Sequence, residues 1–362
     1  MKDKLIKTTC DLIKFRTEPD NISAKNSILD HIKYLFQDQP VFIKEFSSNQ
    51  QPSLLITFED TLHPQVLLYS HLDVVPAPET EYNPQVKDGK IYGRGSGDMK
   101  SAAAVIFHLF QSYIDSKKKP SIGLIFTCDE EVGGFNGTKH ILQENVSCEL
   151  CIMPDSSKGT DTIITNQKGV AATKIWAHGK SAHGSRPHLG INAIEKVTKD
   201  LVKIRKLFPK KQKANTKTTL TIGTIKGGEQ TNQIPGYAEA TLDIRFEDQK
   251  SFYKIFNKIK KITDHNAEVE LSAPPYTCDL KNKLVKDYFK SQQKILNKTI
   301  KFEKESGCSD ARFFSEKNMP VIVTGIDKAN SHSIDESCSI DDMINFYNIL
   351  KDFTDNYVDI IS

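Results

Sequence analysis

The chain alternates between short apolar runs of strand length and stretches in which apolar residues return every three or four positions. Residues 4–16 place Leu5, Ile6, Cys10, Leu12, Ile13 and Phe15 at mainly helical spacing until Thr17-Glu18-Pro19-Asp20 stops the run, and Ser27 to Phe36 repeats the pattern. Val41 to Phe46 and Leu54 to Phe58 read as strands. So does Val66-Leu67-Leu68, which runs into Tyr69-Ser70-His71-Leu72-Asp73-Val74-Val75-Pro76. Strands and helices continue to alternate to about residue 165, the order of an α/β domain with a largely parallel sheet.

From about Lys168 the texture changes. Val170 to Ala177 predicts a strand, Asn192 to Leu207 a helix, Thr218 to Ile225 and Tyr237 to Phe246 strands, Phe252 to Ile262 a helix, and Ala267 to Leu271 a strand. This β-α-β-β-α-β order is that of the split βαβ, ferredoxin-like sandwich. Ala273-Pro274-Pro275 makes a stiff hinge, and from about residue 282 helix, strand and helix resume. The expected organisation is one α/β domain in two parts, 1–168 and 281–362, with a second domain, 169–280, inserted between them. A chain of 362 residues is long enough for two cores, since single cores stop growing beyond roughly 250–300 residues.

Charge removes some function classes. Forty-nine basic against 46 acidic side chains leave a net charge of +3, too little to favour nucleic acid or an anionic membrane. Lysine clusters at 117–119, 206–213 and 258–261 read as solvated surface. No window approaches the about 18 consecutive apolar residues of a membrane span, and the amphipathic start shows no secretory pattern. Seven scattered cysteines form no disulfide framework, which points to a reducing, cytoplasmic setting. Cys148-Glu149-Leu150-Cys151 has redox or zinc-knuckle spacing but no second pair, and reads as two ordinary thiols in a strand.

The chemistry sits where apolar runs end. His71 and Asp73 follow the first; an imidazole binds a metal through one nitrogen while a carboxylate holds the other, so Asp73 is a partner of His71 or a ligand itself. A His-x-Asp at a strand end is, taken alone, ordinary turn chemistry. Gly93-Arg94-Gly95-Ser96-Gly97-Asp98-Met99-Lys100 allows a tight loop, with Asp98 at the start of a helix where capping is its plain alternative role. It matches neither a phosphate loop nor a dinucleotide fingerprint. Ile125-Phe126-Thr127-Cys128 runs into Asp129-Glu130-Glu131-Val132-Gly133-Gly134, three adjacent like charges that need open solvent or a cation. Leu150 to Met153 runs into Pro154-Asp155, and Pro320 to Thr324 is followed by a loop with Asn330-Ser331-His332.

Together, His71, Asp98, Glu131, Asp155 and His332 are two histidines and three carboxylates at strand or loop ends. Two divalent ions roughly 3.5–4 Å apart, bridged by a carboxylate and a water, would use such a set fully. Mixed nitrogen and oxygen ligation suits zinc, with cobalt or manganese as substitutes, and the lack of thiolates argues for a catalytic rather than a structural site.

Nearly the whole chain resembles the zinc-dependent amidohydrolases and peptidases that include acetylornithine deacetylase, succinyl-diaminopimelate desuccinylase, aminoacylase, carboxypeptidase G and several di- and tripeptidases. The segments that carry the resemblance are His71 to Pro76, Gly93-Arg94-Gly95 through Asp98-Met99-Lys100, Asp129-Glu130-Glu131 and Ser181-Ala182-His183-Gly184. The resemblance implies a phosphorylase/hydrolase-like zinc-peptidase catalytic domain with an inserted dimerisation domain. It implies that His71 and Asp155 bind one zinc, Glu131 and His332 the other, and that Asp98 bridges them. Glu130 matches the general base and Asp73 the carboxylate behind His71.

In the inserted domain, His183 reads by itself as a plain loop histidine; the resemblance implies that it crosses a homodimer interface to the oxyanion of the partner's site. Asn232 and Arg245 match contacts to a substrate carboxylate, a role suited to an arginine fork, although pairing with Asp243 or Glu247 is the alternative. Gly307-Cys308-Ser309-Asp310 resembles a loop that lines the substrate pocket, which adds Gly307 and Ser309.

One departure bears on substrate. Deacylases of this group usually carry glutamate where this chain has Asp155, and aspartate there is more typical of the peptidases. Ser309 to Phe313 and the short inserted domain are closer to the deacylases. The leading expectation is an N-acyl amino acid deacylase of the desuccinylase or acetylornithine deacetylase kind. The alternatives are a dipeptidase or carboxypeptidase, and a non-catalytic dimeric metabolite-binding relative.

Overall fold

Four parallel strands, Ile122–Thr127, Val66–His71, Leu150–Met153 and Val321–Val323, lie side by side in that order in the computed structural model. The structure describes residues 1–156, 158–213 and 216–361. Every residue of the four strands is buried. That is why they read as unbroken apolar runs: a parallel sheet is covered on both faces. The helix Ser101–Gln111 is buried along all but its last residue. The helices Lys2–Ile13 and Ile340–Tyr357 each bury one apolar side and leave the other to solvent.

The sheet is mixed rather than largely parallel. Phe42–Ser48 and Gln51–Thr57 form an antiparallel hairpin, and Gln51–Thr57 then runs antiparallel to Ile122–Thr127. The cause is local: only Asn49 and Gln50 separate the two strands, and both have positive φ, 49° and 63°. A two-residue turn of that kind can join only antiparallel neighbours. At the other side Val323 pairs antiparallel with Ile164.

Contacts divide the chain into two units, one of Met1–Thr165, Thr277–Lys304 and Ser309–Ser362, the other of Asn166–Tyr276 and Glu305–Cys308. The second unit contains the strands Gly169–His178, Thr218–Gly227, Tyr237–Phe246 and Ala267–Ala273 and the helices Ala193–Arg205 and Gln249–Ile262. Its sheet is antiparallel throughout and places the second, third, first and fourth of these strands side by side. That is the split βαβ order, with the two helices over one face. Ala171, Ile175, Leu242, Ile244, Val197, Leu201, Phe252 and Ile259 fill the space between sheet and helices. Along Tyr237–Phe246 buried and less buried residues alternate strictly, as one covered face requires.

Candidate metal centre

Parallel pairing brings the ends of the four strands to one edge of the large sheet. His71 is the last residue of its strand and pairs with Thr127, so the acidic turn after Thr127 starts level with His71. Leu68 pairs with Ile152 and Met153 with Val323, which sets Asp155 and the loop to His332 along the same edge. The carboxyl ends of parallel strands are where open α/β sheets bind ligands.

Two groups converge there, and they share Asp98. Ligand atoms of His71, Asp98 and Asp155 lie within 4.8 Å of one another, as do those of Asp98, Glu131 and His332. The His71 Nε2 is 3.4 Å from Asp98 Oδ1 and 4.0 Å from Asp155 Oδ1. His332 Nε2 is 3.4 Å from Asp98 Oδ2 and 3.1 Å from Glu131 Oε1. The two oxygens of Asp98 thus face different histidines.

The donor set fits divalent ions. Nε2 of His71 is buried and has no hydrogen-bond partner, an expensive state for an imidazole unless a cation completes it. Its other nitrogen, Nδ1, lies 3.1 Å from the main-chain carbonyl of Asp73 and 3.5 Å from the Asp73 carboxylate. Nδ1 thus has both the main-chain carbonyl and the carboxylate of Asp73 beside it, and a proton held there would leave the Nε2 lone pair for a metal ion. The carboxylate of Asp73 has a second task. Its two oxygens accept the N–H groups of Glu130, at 3.2 Å, and Glu131, at 2.9 Å, and so fix the turn that presents both side chains.

Electrostatics agree with a cation site. The Asp98 and Glu131 carboxylates push His332 up to about 10, so that a proton sits between carboxylates where a metal ion would. Burial and the neighbouring Asp98 push Asp155 up to about 8. Glu130 stands well above the ordinary carboxylate range, through burial first and then Asp155. Burial opposes charge on Asp98, but Lys328, His332 and His71 outweigh it and hold Asp98 well below its usual value.

Capping is not the role of Asp98. The helix begins at Ser101 without a side-chain cap, and Asp98 lies in the turn before it, with a cis peptide bond to Met99. Three residues that sequence reasoning passed over hold this turn. Glu336 Oε1 accepts N–H from Gly95, Gly97 and Asp98, and its other oxygen pairs with Arg94. The third is Lys328, whose Nζ lies 3.3 Å from Asp98 Oδ1. Nothing in Asp335-Glu336 marked it out from surface acid; only its place four residues after His332 was a signal.

Behind Glu130, Gly134 has φ +66°, and a Cβ there would lie 2.0 Å from Asp310 Oδ1. The other oxygen of Asp310 accepts bonds from Tyr69, at 2.8 Å, and Thr138, at 2.5 Å. Asp310 is thus a buried post under the acidic turn, and the Ser309 beside it is buried too, while Gly307 is exposed.

In the second unit, His183 and Asn232 are neighbours. The two-residue strands Ala182–His183 and Gln233–Ile234 pair, with His183 opposite Gln233, and Gly184 donates its N–H to the Asn232 carbonyl at 2.7 Å. The His183 ring is exposed and bonds Ser185. Arg245 makes a two-point fork to Asp243, at 2.7 and 2.9 Å, the alternative partner foreseen from sequence. Cys148 and Cys151, the pair with redox or zinc-knuckle spacing, are both free thiols.

This sheet edge, with paired acid and imidazole donors around one shared carboxylate, is a candidate site for divalent ions. Residues 67–356 match the profile of peptidase family M20/M25/M40, and the chain belongs to that family. It is 30% identical over 322 residues to the succinyl-diaminopimelate desuccinylase of Wolbachia pipientis subsp. Culex pipiens, covering 81% of this chain and 79% of the relative. An uncharacterized metallohydrolase of Methanocaldococcus jannaschii is 30% identical over 344 residues, covering 81% of each. Among solved structures, a tripeptidase of Staphylococcus aureus superposes with a TM-score of 0.79 at 20% identity over 98% of both chains. An M20 family metallo-carboxypeptidase of Sulfolobus solfataricus gives 0.75 at 17% identity, over 97% of this chain and 98% of that one. The protein is a metal-dependent hydrolase of amide or peptide bonds, with a catalytic domain of the M20 fold and an inserted second domain. That sets aside the non-catalytic reading.

Proposed function

We propose that the protein uses two zinc ions to cleave the amide bond of a small N-acyl amino acid, with succinyl-diaminopimelate or acetylornithine as the leading substrates. The observation that carries this reading is the pair of three-residue groups sharing Asp98 beside Glu130. His71, Asp98 and Asp155 would hold one ion, and Asp98, Glu131 and His332 the other. When bound, such ions acidify water and polarise a carbonyl; cobalt or manganese would substitute.

The residues divide the remaining work. Glu130, whose carboxyl burial and then Asp155 hold well above the usual carboxylate range, takes a proton from the attacking water and delivers it to the leaving nitrogen. Asp73 orients Glu130 and Glu131 through their N–H groups. Arg245 and Asn232 would bind the substrate carboxylate, Arg245 by exchanging its Asp243 partner for substrate. Gly307 and Ser309 would line the pocket.

A homodimer, with His183 serving the oxyanion of the partner's site, is supported by the outer strand of the second unit. Among the described residues Thr218–Gly227 pairs on one side only, and it exposes Ile222 and Ile225. Such an open edge calls for cover. The free thiols of Cys10, Cys128, Cys148, Cys151 and Cys338 support a reducing, cytoplasmic location. Among the described residues no helix is long and apolar enough to cross a membrane.

A second reading, peptidase, is favoured by Asp155 in place of glutamate and by the names of the structural neighbours. The deciding experiment is hydrolysis by metal-reconstituted protein of succinyl-diaminopimelate, acetylornithine, acetylmethionine and several dipeptides, beside Glu130→Ala. Acyl turnover that the variant abolishes supports the deacylase. Turnover of dipeptides alone moves the protein to the peptidases.

A further inference from the structure

Lys328 is an odd neighbour for a metal site. It lies on the short strand Lys328–Ala329, opposite Cys338, and its side chain is 5% exposed. Its stem runs against Gly97, where an added Cβ would come within 2.8 Å of the Lys328 Cβ and 3.2 Å of its Cδ. A side chain seated that way has little freedom to swing aside. Its Nζ lies 3.3 Å from Asp98 Oδ1, the oxygen that faces His71, while Oδ2 faces His332. The other acids acting on it are Asp155 and Glu336, and Glu336 is already paired with Arg94.

We infer that Lys328 is a built-in cation that competes with a metal ion for Asp98 and makes the His71–Asp98–Asp155 position the weaker of the two. The inference rests on the metal reading above. An ammonium and a divalent ion that share one carboxylate oxygen repel each other, and burial keeps water from screening them. The Asp98–Glu131–His332 position uses the far oxygen and feels this charge less. The same ammonium balances Asp98 and Asp155 when no metal is bound, so it steadies the metal-free protein and loosens one ion. The two effects have opposite signs in one substitution, which a merely structural lysine would not produce.

The test is a zinc titration of metal-free protein by calorimetry, with the unfolding temperature of each metal-free form, for wild type, Lys328→Met, Asp155→Ala and the double variant. Wild type should bind in two steps. Lys328→Met should tighten the weaker step by about tenfold or more and leave the stronger within about threefold, while the metal-free variant melts lower. Asp155→Ala should abolish the weaker step in both backgrounds, and Lys328→Arg should keep wild-type affinities. If Lys328→Met does not fold without metal, Lys328→Gln carries the same titration. Unchanged or weakened binding in the neutral variants, or tightening of the step that does not need Asp155, overturns the inference and leaves the two-ion reading standing. No zinc binding by wild type overturns both.

Discussion

The main-chain N–H of Asp98 donates to the buried Glu336 carboxylate at 3.0 Å, so the residue shared by both halves of the site hangs from the loop that carries His332. Gly95 and Gly97 donate to the same oxygen, at 3.1 and 2.9 Å, and the Glu336 carbonyl accepts from Gly93, at 2.9 Å, and Ser96, at 3.1 Å. One side chain and its own peptide thus tie down the whole turn from Gly93 to Asp98.

Glu336→Gln should therefore cost both stability and metal binding. It leaves the Arg94 guanidinium buried without its counter-charge, a change worth about 3 kcal/mol or more. Denaturant unfolding of the metal-free protein measures the first loss and zinc titration the second. Wild-type metal affinity in the variant would show that the turn holds without Glu336.

Glu130→Ala should lower kcat by about a thousandfold with zinc content unchanged, because its N–H and not its carboxylate is what Asp73 holds. Elemental analysis beside steady-state kinetics separates this from loss of metal. A variant that loses zinc as well would make Glu130 a ligand rather than the base.

Arg245→Ala should raise KM for carboxylate-bearing substrates by about tenfold or more and change kcat less. Its unfolding free energy should fall by less than about 1 kcal/mol, since both ends of the Asp243 pair are about a third or more exposed. An unchanged KM would show that Arg245 does not hold the substrate carboxylate.

His108 provides a stability response to acid away from the site. Its ring bonds Thr8 Oγ1 at 2.8 Å, and burial, with Lys4 next, pushes it down to about 4. Unfolded, it takes up a proton near about 6.5. The unfolded state therefore binds the proton first, and stability present above that value is lost as pH falls from about 6.5 to about 4, by at most about 3.4 kcal/mol. Subtracting the pH profile of His108→Gln from that of wild type should isolate this slope. Parallel profiles would show that His108 titrates normally.

What could be read from the chain alone follows from local physics. The buried strands announced themselves as apolar runs, the inserted unit as alternation and helical spacing, and the candidate ligands His71, Asp98, Glu131, Asp155 and His332 as acid and imidazole where those runs stop. Each is a property of neighbours in sequence. The tertiary structure decided what depends on distant segments meeting. It made the sheet mixed, because Gln51–Thr57 meets the distant Ile122–Thr127 antiparallel and Val323 meets Ile164 in the same way. It gave Asp73, besides its place beside the His71 ring, the N–H groups of the Glu130 turn. It also brought Glu336 and Lys328 across more than 200 positions to Asp98. A buried charge looks like a surface charge in sequence, since what distinguishes it is the company of atoms that only folding supplies.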